Sequence, residues 1–217
     1  LKVINAKEAI EKVNNGDSVM IGGFLGVGAP ETLVDELIAQ KKSDLEIIGN
    51  DTAFVDKGIG KVVVNKLARK VVVSHIGTNK ETQRQMIENE LEVKLVPQGT
   101  LAEQVRAGGV GLGGILTPTG VGTEVEKGKQ VVELNGKKYI LEEAIHAKVA
   151  LIKAKKADYL GNLQFSLTAR NFNPLMAMAA DIVIAEVEEI VPTGCIPPDS
   201  VHIPSVVVDY IVVGGAK

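Results

Sequence analysis

Of 217 residues none is tryptophan, one is cysteine and 3% are aromatic. A single thiol, Cys195, makes an intrachain disulfide impossible and excludes a cysteine-rich zinc site. A reducing, cytoplasmic setting is the expectation. The scarcity of rings argues against recognition of nucleic-acid bases by stacking. Basic charge is not in excess either: 24 Lys and Arg stand against 27 Asp and Glu, for a net charge of −3. The electropositive stripe of a nucleic-acid-binding domain is therefore missing. No apolar run reaches the ~18 residues of a membrane span. The start, Leu1-Lys2-Val3-Ile4-Asn5, carries no signal-peptide pattern. His75, His146 and His202 are scattered without metal-ligand spacing, so no metal is expected. A Walker A lysine, a Gly-x-Ser-x-Gly elbow and a zinc-hydrolase helix are all absent from the sequence.

What is abundant is glycine, 23 residues at an ordinary 45% hydrophobic content. Tight turns, or close backbone approaches to a ligand, follow from that. Short β-favouring runs recur at Ser18–Ile21, Leu45–Ile48, Val71–Val73, Val93–Val96, Val149–Ile152, Ile182–Ile184 and Val206–Val208. Being nearly all apolar, they read as strands buried on both faces. Helical patterns lie between them at Glu31–Gln40, Lys80–Glu90, Leu101–Ala107 and Asn173–Ala180. The alternation predicts one α/β domain over residues 1–217, a mainly parallel open sheet with helices on both faces. The segment Gly108–Gly128 breaks the pattern and reads as a long ordered loop. Asn135-Gly136, between Val131–Leu134 and Lys137–Ile140, predicts a β-hairpin inserted near residues 131–140.

Three strand ends carry polar or glycine-rich turns. Gly22-Gly23-Phe24-Leu25-Gly26-Val27-Gly28 follows the first buried run and precedes a helix opened by Pro30. Backbone N–H groups and a helix N-terminus there suit an anionic ligand. The pattern is not the dinucleotide fingerprint, because Glu31 stands where the third glycine belongs. A tight strand–helix connection is the other reading. Gln98, in Pro97-Gln98-Gly99-Thr100, sits at another strand end, where a neutral amide can donate to an oxyanion; a helix-entry turn explains it equally. Asn50-Asp51-Thr52 is a third group at the same sheet edge, or a turn cap. Cys195 reads as structural, and Glu142-Glu143 and Glu186 to Glu189 as solvated faces.

These stretches, together with Arg106-Ala107-Gly108-Gly109, Thr117-Pro118-Thr119-Gly120-Val121-Gly122-Thr123 and Ala169-Arg170-Asn171-Phe172-Asn173, resemble one family over essentially the whole chain. It is the α subunit of family I coenzyme A transferases of the 3-oxoacid type. Gln104 departs from it, standing where some relatives have arginine. The resemblance implies ping-pong transfer of CoA between a short-chain acyl-CoA, such as acetoacetyl-CoA, and a short-chain carboxylate: acetate, butyrate, succinate and acetoacetate all remain open. A glutamate carboxylate is the nucleophile. In this family it lies on a β subunit in a Ser-Glu-Asn-Gly type motif, which this chain lacks. The chain is then catalytically incomplete and pairs with a β subunit, as an α2β2 heterotetramer. By resemblance Gln98 donates to the oxyanion, Gly22–Gly28 (Gly22, Gly23, Phe24, Leu25, Gly26, Val27, Gly28) bind CoA, and Asn50 contacts substrate. Coenzyme A enters as substrate and product; no resident cofactor, metal, nucleic acid or membrane is implied. Two alternatives have other needs. A sugar-phosphate isomerase or ligand-sensing domain on a similar sheet requires its own acid–base pair, and a non-catalytic CoA-binding protein requires only the glycine turn.

Overall fold

The computed structural model describes residues 2–214. Its strands are β1 (Lys2–Val3), β2 (Ser18–Ile21), β3 (Leu45–Ile48), β4 (Ala68–Val73), β5 (Glu92–Leu95), β6 (Gly114–Thr117), β7 (Val131–Leu134), β8 (Lys137–Glu143), β9 (Ala147–Asp158), β10 (Leu163–Gln164), β11 (Ala180–Val191) and β12 (Tyr210–Val213). The helices are α1 (Ala6–Ile10), α2 (Glu31–Ala39), α3 (Ile59–Val64), α4 (Lys80–Ile87), α5 (Gln98–Gly109) and α6 (Asn173–Met178). The main sheet runs β1-β12-β11-β9-β2-β3-β4-β5 and is parallel along that path, with β10 antiparallel on β9. From β2 the chain winds outward through β3, β4 and β5; from β9 it winds the other way. The two directions part between β2 and β9, and ligands of open α/β sheets bind at such a switch point, outside the carboxyl ends of the strands.

Runs such as Ser18–Ile21 alternate between two apolar layers, as the reading of strands covered on both faces requires, but the Val93–Val96 run does not: β5 is the edge strand of the sheet and Leu95 is 52% exposed. Val19 and Ile21 of β2 join Leu33 and Leu37 of α2 and Val62 of α3 in one layer. Met20, between them, joins Leu101 and Val105 of α5 and Met176 of α6 in the other. Each such fully buried side chain contributes about 1.5–3 kcal/mol. No described helix is long and apolar enough to cross a membrane.

Several expected elements change: the Lys80 helix stops at Ile87, and the runs Val149–Ile152 and Ile182–Ile184 lengthen into β9 and β11. Val206–Val208 is not a strand: Ser205–Val207 form a 3-10 turn and Val206 is 90% exposed. Pro204 precedes the turn, and Asp209 occupies Val183 through both its side chain and its N–H, so the ladder with β11 begins only at Tyr210. The Asn173 helix stops at Met178, because Ala180 already pairs with Ala147. The α5 helix extends beyond Leu101–Ala107 at both ends, so Gln98 is its first residue.

The inserted hairpin is present. Asn135 and Gly136 have φ of 51° and 73°, the two positive values of a type I′ turn, which match the twist of β7 and β8. The preceding loop is more structured than expected: β6 lies inside it and pairs with the other edge of β8, making a three-stranded antiparallel sheet. That sheet is bound to α5 by buried polar groups. Glu142 is 4% exposed, against the expectation of a solvated face. Its carboxylate meets Lys129 Nζ at 2.7 Å and accepts from Gln104 Nε2 at 3.4 Å, and the same amide donates to the Glu143 carbonyl at 2.9 Å.

Lys129 therefore neutralises a buried carboxylate. Removing one partner of such a pair costs ~3–5 kcal/mol when both are buried; Lys129 keeps 28% side-chain exposure, which lowers the cost. Lys129→Met is expected to lower the urea-unfolding free energy by about 1–3 kcal/mol, with most of it recovered in Lys129→Met/Glu142→Leu. An unchanged single variant would show that solvent alone satisfies Glu142.

Candidate functional site

The turn leaving β2 is a miniature hairpin. Phe24 and Val27 exchange backbone hydrogen bonds at 3.0 and 2.9 Å, and Leu25 and Gly26 at its tip have φ of 48° and 84°. A leucine in the left-handed region is strained. Its N–H donates to Asp51 Oδ2 at 2.9 Å, which holds it there. Gly22 is required for a different reason: a Cβ would fall 1.8 Å from the Asn173 side chain.

Asn173 is fully buried and binds three segments at once. Its Oδ1 accepts from the Lys153 N–H of β9 at 3.0 Å, and its Nδ2 donates to the carbonyls of Gly28 and Ala169 at 3.1 and 2.8 Å. Asn171 Nδ2 donates to the Val27 carbonyl at 2.9 Å. The glycine turn is thus fastened by its carbonyls. The N–H groups of Gly23, Gly26 and Gly28 have no protein acceptor among the described residues.

The three strand-end stretches do converge, through a chain of polar contacts with one possible polarity. Asp51 is 4% exposed; its Oδ1 accepts from the Ala53 N–H at 2.6 Å and its Oδ2 from the Leu25 N–H and from Asn50 Nδ2. A carboxylate only accepts, so the Asn50 amide must turn its NH₂ toward Asp51 and its oxygen away. That oxygen lies 3.3 Å from Gln98 Nε2 and 3.5 Å from Ser74 Oγ. Gln98 must therefore present its NH₂, and the amide has a second N–H with no protein acceptor among the described residues. Gln98 is exposed while Asn50 is 2% exposed, so the relay runs from a buried base to an accessible tip.

One part of the expected anion site is already filled. Pro30, at the N-cap of α2, provides no side-chain cap. Instead the N–H groups of Thr32 and Leu33 donate to Glu186 Oε2 at 2.9 and 3.2 Å. Glu186 is 1% exposed on β11, not solvated, with Lys153 Nζ 3.6 Å from its other oxygen. A protein carboxylate occupies the positive end of α2, so a ligand at the glycine turn meets the turn's N–H groups and not the helix N-terminus. Burial pushes the Glu186 carboxyl above its ordinary range, against the opposing pull of the Leu33 N–H, Lys153 and Thr32.

The remaining candidates separate. His202 accepts from the Phe165 N–H at 2.9 Å and stacks on the Phe165 ring; burial and the Arg170 charge lower its pKa. His146 faces Asp181 at 4.0 Å. Cys195 is exposed, so the reading of it as structural fails: no core packs around the thiol. No group of three or more His, Cys, Asp or Glu side chains among the described residues is arranged to hold a metal ion. Asn171, Asn173 and Ser74 had no site role in the reading of the sequence, and Glu186 was read only as part of a solvated face. Only the Ala169–Asn173 run signalled the first two.

Comparison with known proteins places the chain. The coenzyme A transferase family model matches residues 3–214. The alpha subunit of the acetate CoA-transferase of Escherichia coli K12 is 53% identical over 212 residues, 98% of this chain and 96% of that one. One of the subunits of a probable succinyl-CoA:3-ketoacid coenzyme A transferase of Bacillus subtilis 168 is 46% identical over 98% of this chain and 90% of its own. Among solved structures, an acyl-CoA transferase of E. coli O157:H7, in a thioester complex with CoA, superposes with a TM-score of 0.88 at 25% identity. The alignment covers 99% of this chain and 47% of that one, so this chain spans about half the length of that enzyme.

The raised Glu186 pKa has a signed consequence. A carboxyl that holds its proton more tightly folded than unfolded gives stability that is complete below the unfolded value and lost as pH rises through the folded one. The wild-type-minus-Glu186→Gln unfolding free energy is expected to fall as pH increases from the ordinary value of 4.5 through the raised one, then to level. Parallel thermal and urea unfolding across pH checks this. A difference that instead grew with pH would show that Lys153 and the α2 N–H groups outweigh burial.

Proposed function

The chain belongs to the coenzyme A transferase family, and we propose that it is the α subunit of a heteromeric enzyme that moves CoA between a short-chain acyl-CoA and a short-chain carboxylate. The nucleophilic glutamate comes from a β subunit, in an α2β2 assembly, at the sheet edge that carries Gln98 and the glycine turn. The observation that carries this reading is the relay from the Leu25 N–H through Asp51 and Asn50 to Gln98, which ties a directed amide donor to a turn with unpaired N–H groups. The similarity to single subunits of heteromeric transferases, one of them named alpha, supports the division of labour.

In this mechanism the β-subunit carboxylate attacks the thioester carbonyl. The C–S bond breaks, CoA leaves as a thiolate, and an acyl-glutamyl anhydride remains. The thiolate then attacks the glutamyl carbonyl, releasing the first acid as its carboxylate and leaving a glutamyl-CoA thioester. An incoming carboxylate attacks that thioester, and the thiolate returns to the new acyl group. Every step places negative charge on a carbonyl oxygen. Gln98 donates its free N–H there, and Asn50 and Asp51 position it. The donor is neutral and already oriented, so little reorganisation is needed as the charge forms. Gly22 to Gly28, with Phe24, Leu25 and Val27 among them, bind the CoA thioester through the turn's backbone. The relatives' names span acetate and succinyl-CoA:3-ketoacid transferases, and the proposal leaves the acid within the short-chain class.

The test is Gln98→Ala in the assembled αβ complex. We expect kcat to fall by roughly 10²–10³, the cost of one oxyanion donor, with assembly intact by sedimentation. Transferase activity from this chain alone, without a β subunit, would contradict the assignment of the nucleophile to the partner. Unchanged kcat in Gln98→Ala would return that residue to a helix-entry role.

A further inference from the structure

The first turn of α5 opens onto a cleft of about 360 Å³ between that helix and β6. Pro97 provides no side-chain cap, and the first N–H with an acceptor is that of Leu101. The N–H groups of Gln98, Gly99 and Thr100 thus have no acceptor among the described residues, whereas the corresponding end of α2 is closed by Glu186. Above Gly99 the space is empty: an added Cβ would meet nothing within 4 Å.

A second feature of the cleft is independent of the helix end. Thr100 lines it, is only 4% exposed, and its hydroxyl has no hydrogen-bond partner among the described residues. Its oxygen is not among the buried unpaired atoms of the described residues, so it is accessible from the cleft that Thr100 lines, where a ligand oxygen complements it. The facing wall is half apolar. Ile115 is half-buried and Leu116 is 39% exposed, with Thr117 beyond them. Arg106 and Glu103 both line the cleft as well and pair with each other at 2.7 Å, so their charges offset. The cleft therefore has one uncompensated positive end, at the helix, and a short aliphatic wall.

We propose that the cleft between α5 and β6 seats the acid substrate, with its carboxylate on the Gly99 and Thr100 N–H groups and the Thr100 hydroxyl and its alkyl chain against Ile115 and Leu116. This deepens the reading above and rests on it. Gly99 and Thr100 directly follow Gln98 in the first turn of α5. Leu116 then limits chain length. A CoA phosphate has the same anionic oxygens, so the experiment separates the two sources.

Initial rates are measured in the assembled complex for wild type, Thr100→Val and Leu116→Phe, varying acetate, butyrate and acyl-CoA separately. Valine keeps the volume of threonine and removes only the hydroxyl. Thr100→Val is expected to raise KM for both acids roughly tenfold, about 1.4 kcal/mol, with KM for acyl-CoA unchanged. Leu116→Phe fills the cleft from a partly exposed position and is expected to lower kcat/KM for butyrate relative to acetate by about tenfold, the scale of one or two methylenes in a fitted pocket. A rise confined to the acyl-CoA KM would assign the cleft to a CoA phosphate and overturn the proposal. So would unchanged acid KM values with an unchanged butyrate-to-acetate ratio. If Thr100→Val does not fold, the Leu116→Phe ratio decides alone. A wild-type complex without any transferase activity overturns the parent reading, and this one with it; an active wild type with unresponsive variants overturns only this one.

Discussion

The site depends on the inability of a carboxylate to donate. Asp51 accepts from Leu25, Asn50 and Ala53, and that one-sidedness propagates. Asn50 has a single orientation compatible with it, and Gln98 then has a single orientation compatible with Asn50. Amides in isolation are ambiguous; beside Asp51 they are not. The same carboxylate holds Leu25 at positive φ, so the glycine turn and the exposed amide share one buried support. Preorganisation of this kind matters most for a neutral donor, whose effect depends on direction.

A second tier of buried polar groups holds that support to the rest of the sheet. Asn173, at the start of α6, and Glu186, on β11, both lie on the β9–β11 side of the switch point, and they reach across to the β2–α2 connection and to the first turn of α2. Their partners lie 145 and 154 residues away in the chain. Apolar packing alone leaves such a connection free to slide, because dispersion is not directional. Hydrogen bonds to fixed backbone groups remove that freedom. The cost is the burial of an ionisable group, which Lys153 and two helix N–H groups partly offset.

Two helices that leave the same sheet edge end up with different roles. Both α2 and α5 begin after a proline that gives no side-chain cap. In α2 the protein supplies the anion; in α5 the end stays open, and the antiparallel sheet, clamped by Glu142, Lys129 and Gln104, walls the space in front of it. The insertion thus shapes a cleft that neither the helix nor the parallel sheet forms without it. Gln104 acts here as a two-way donor to Glu142 and the Glu143 carbonyl, and Lys129 carries the charge.

Local chemistry was enough for much of this. Apolar runs such as Ser18–Ile21 announced strands covered on both sides, because period-free burial leaves no polar face. Asn135-Gly136 announced its turn, because few other pairs tolerate two positive φ values. The glycine turn, Asn50 and Gln98 were legible as one edge, because parallel strands align their carboxyl ends. What the chain alone left open was decided by contacts between distant residues. Val206–Val208 has strand composition, but Asp209 and Tyr210 take the available ladder partners on β11. Glu142 and Glu186 look solvated beside their sequence neighbours; they are buried because Lys129, Lys153 and the α2 N–H groups meet them only in the fold. The direction of the Gln98 amide likewise belongs to the tertiary structure, since it is set by a carboxylate 47 residues earlier in the chain. Composition and periodicity determine which segments are buried. Which polar atom faces which is fixed only when the segments meet, because a hydrogen bond needs both its partners in place.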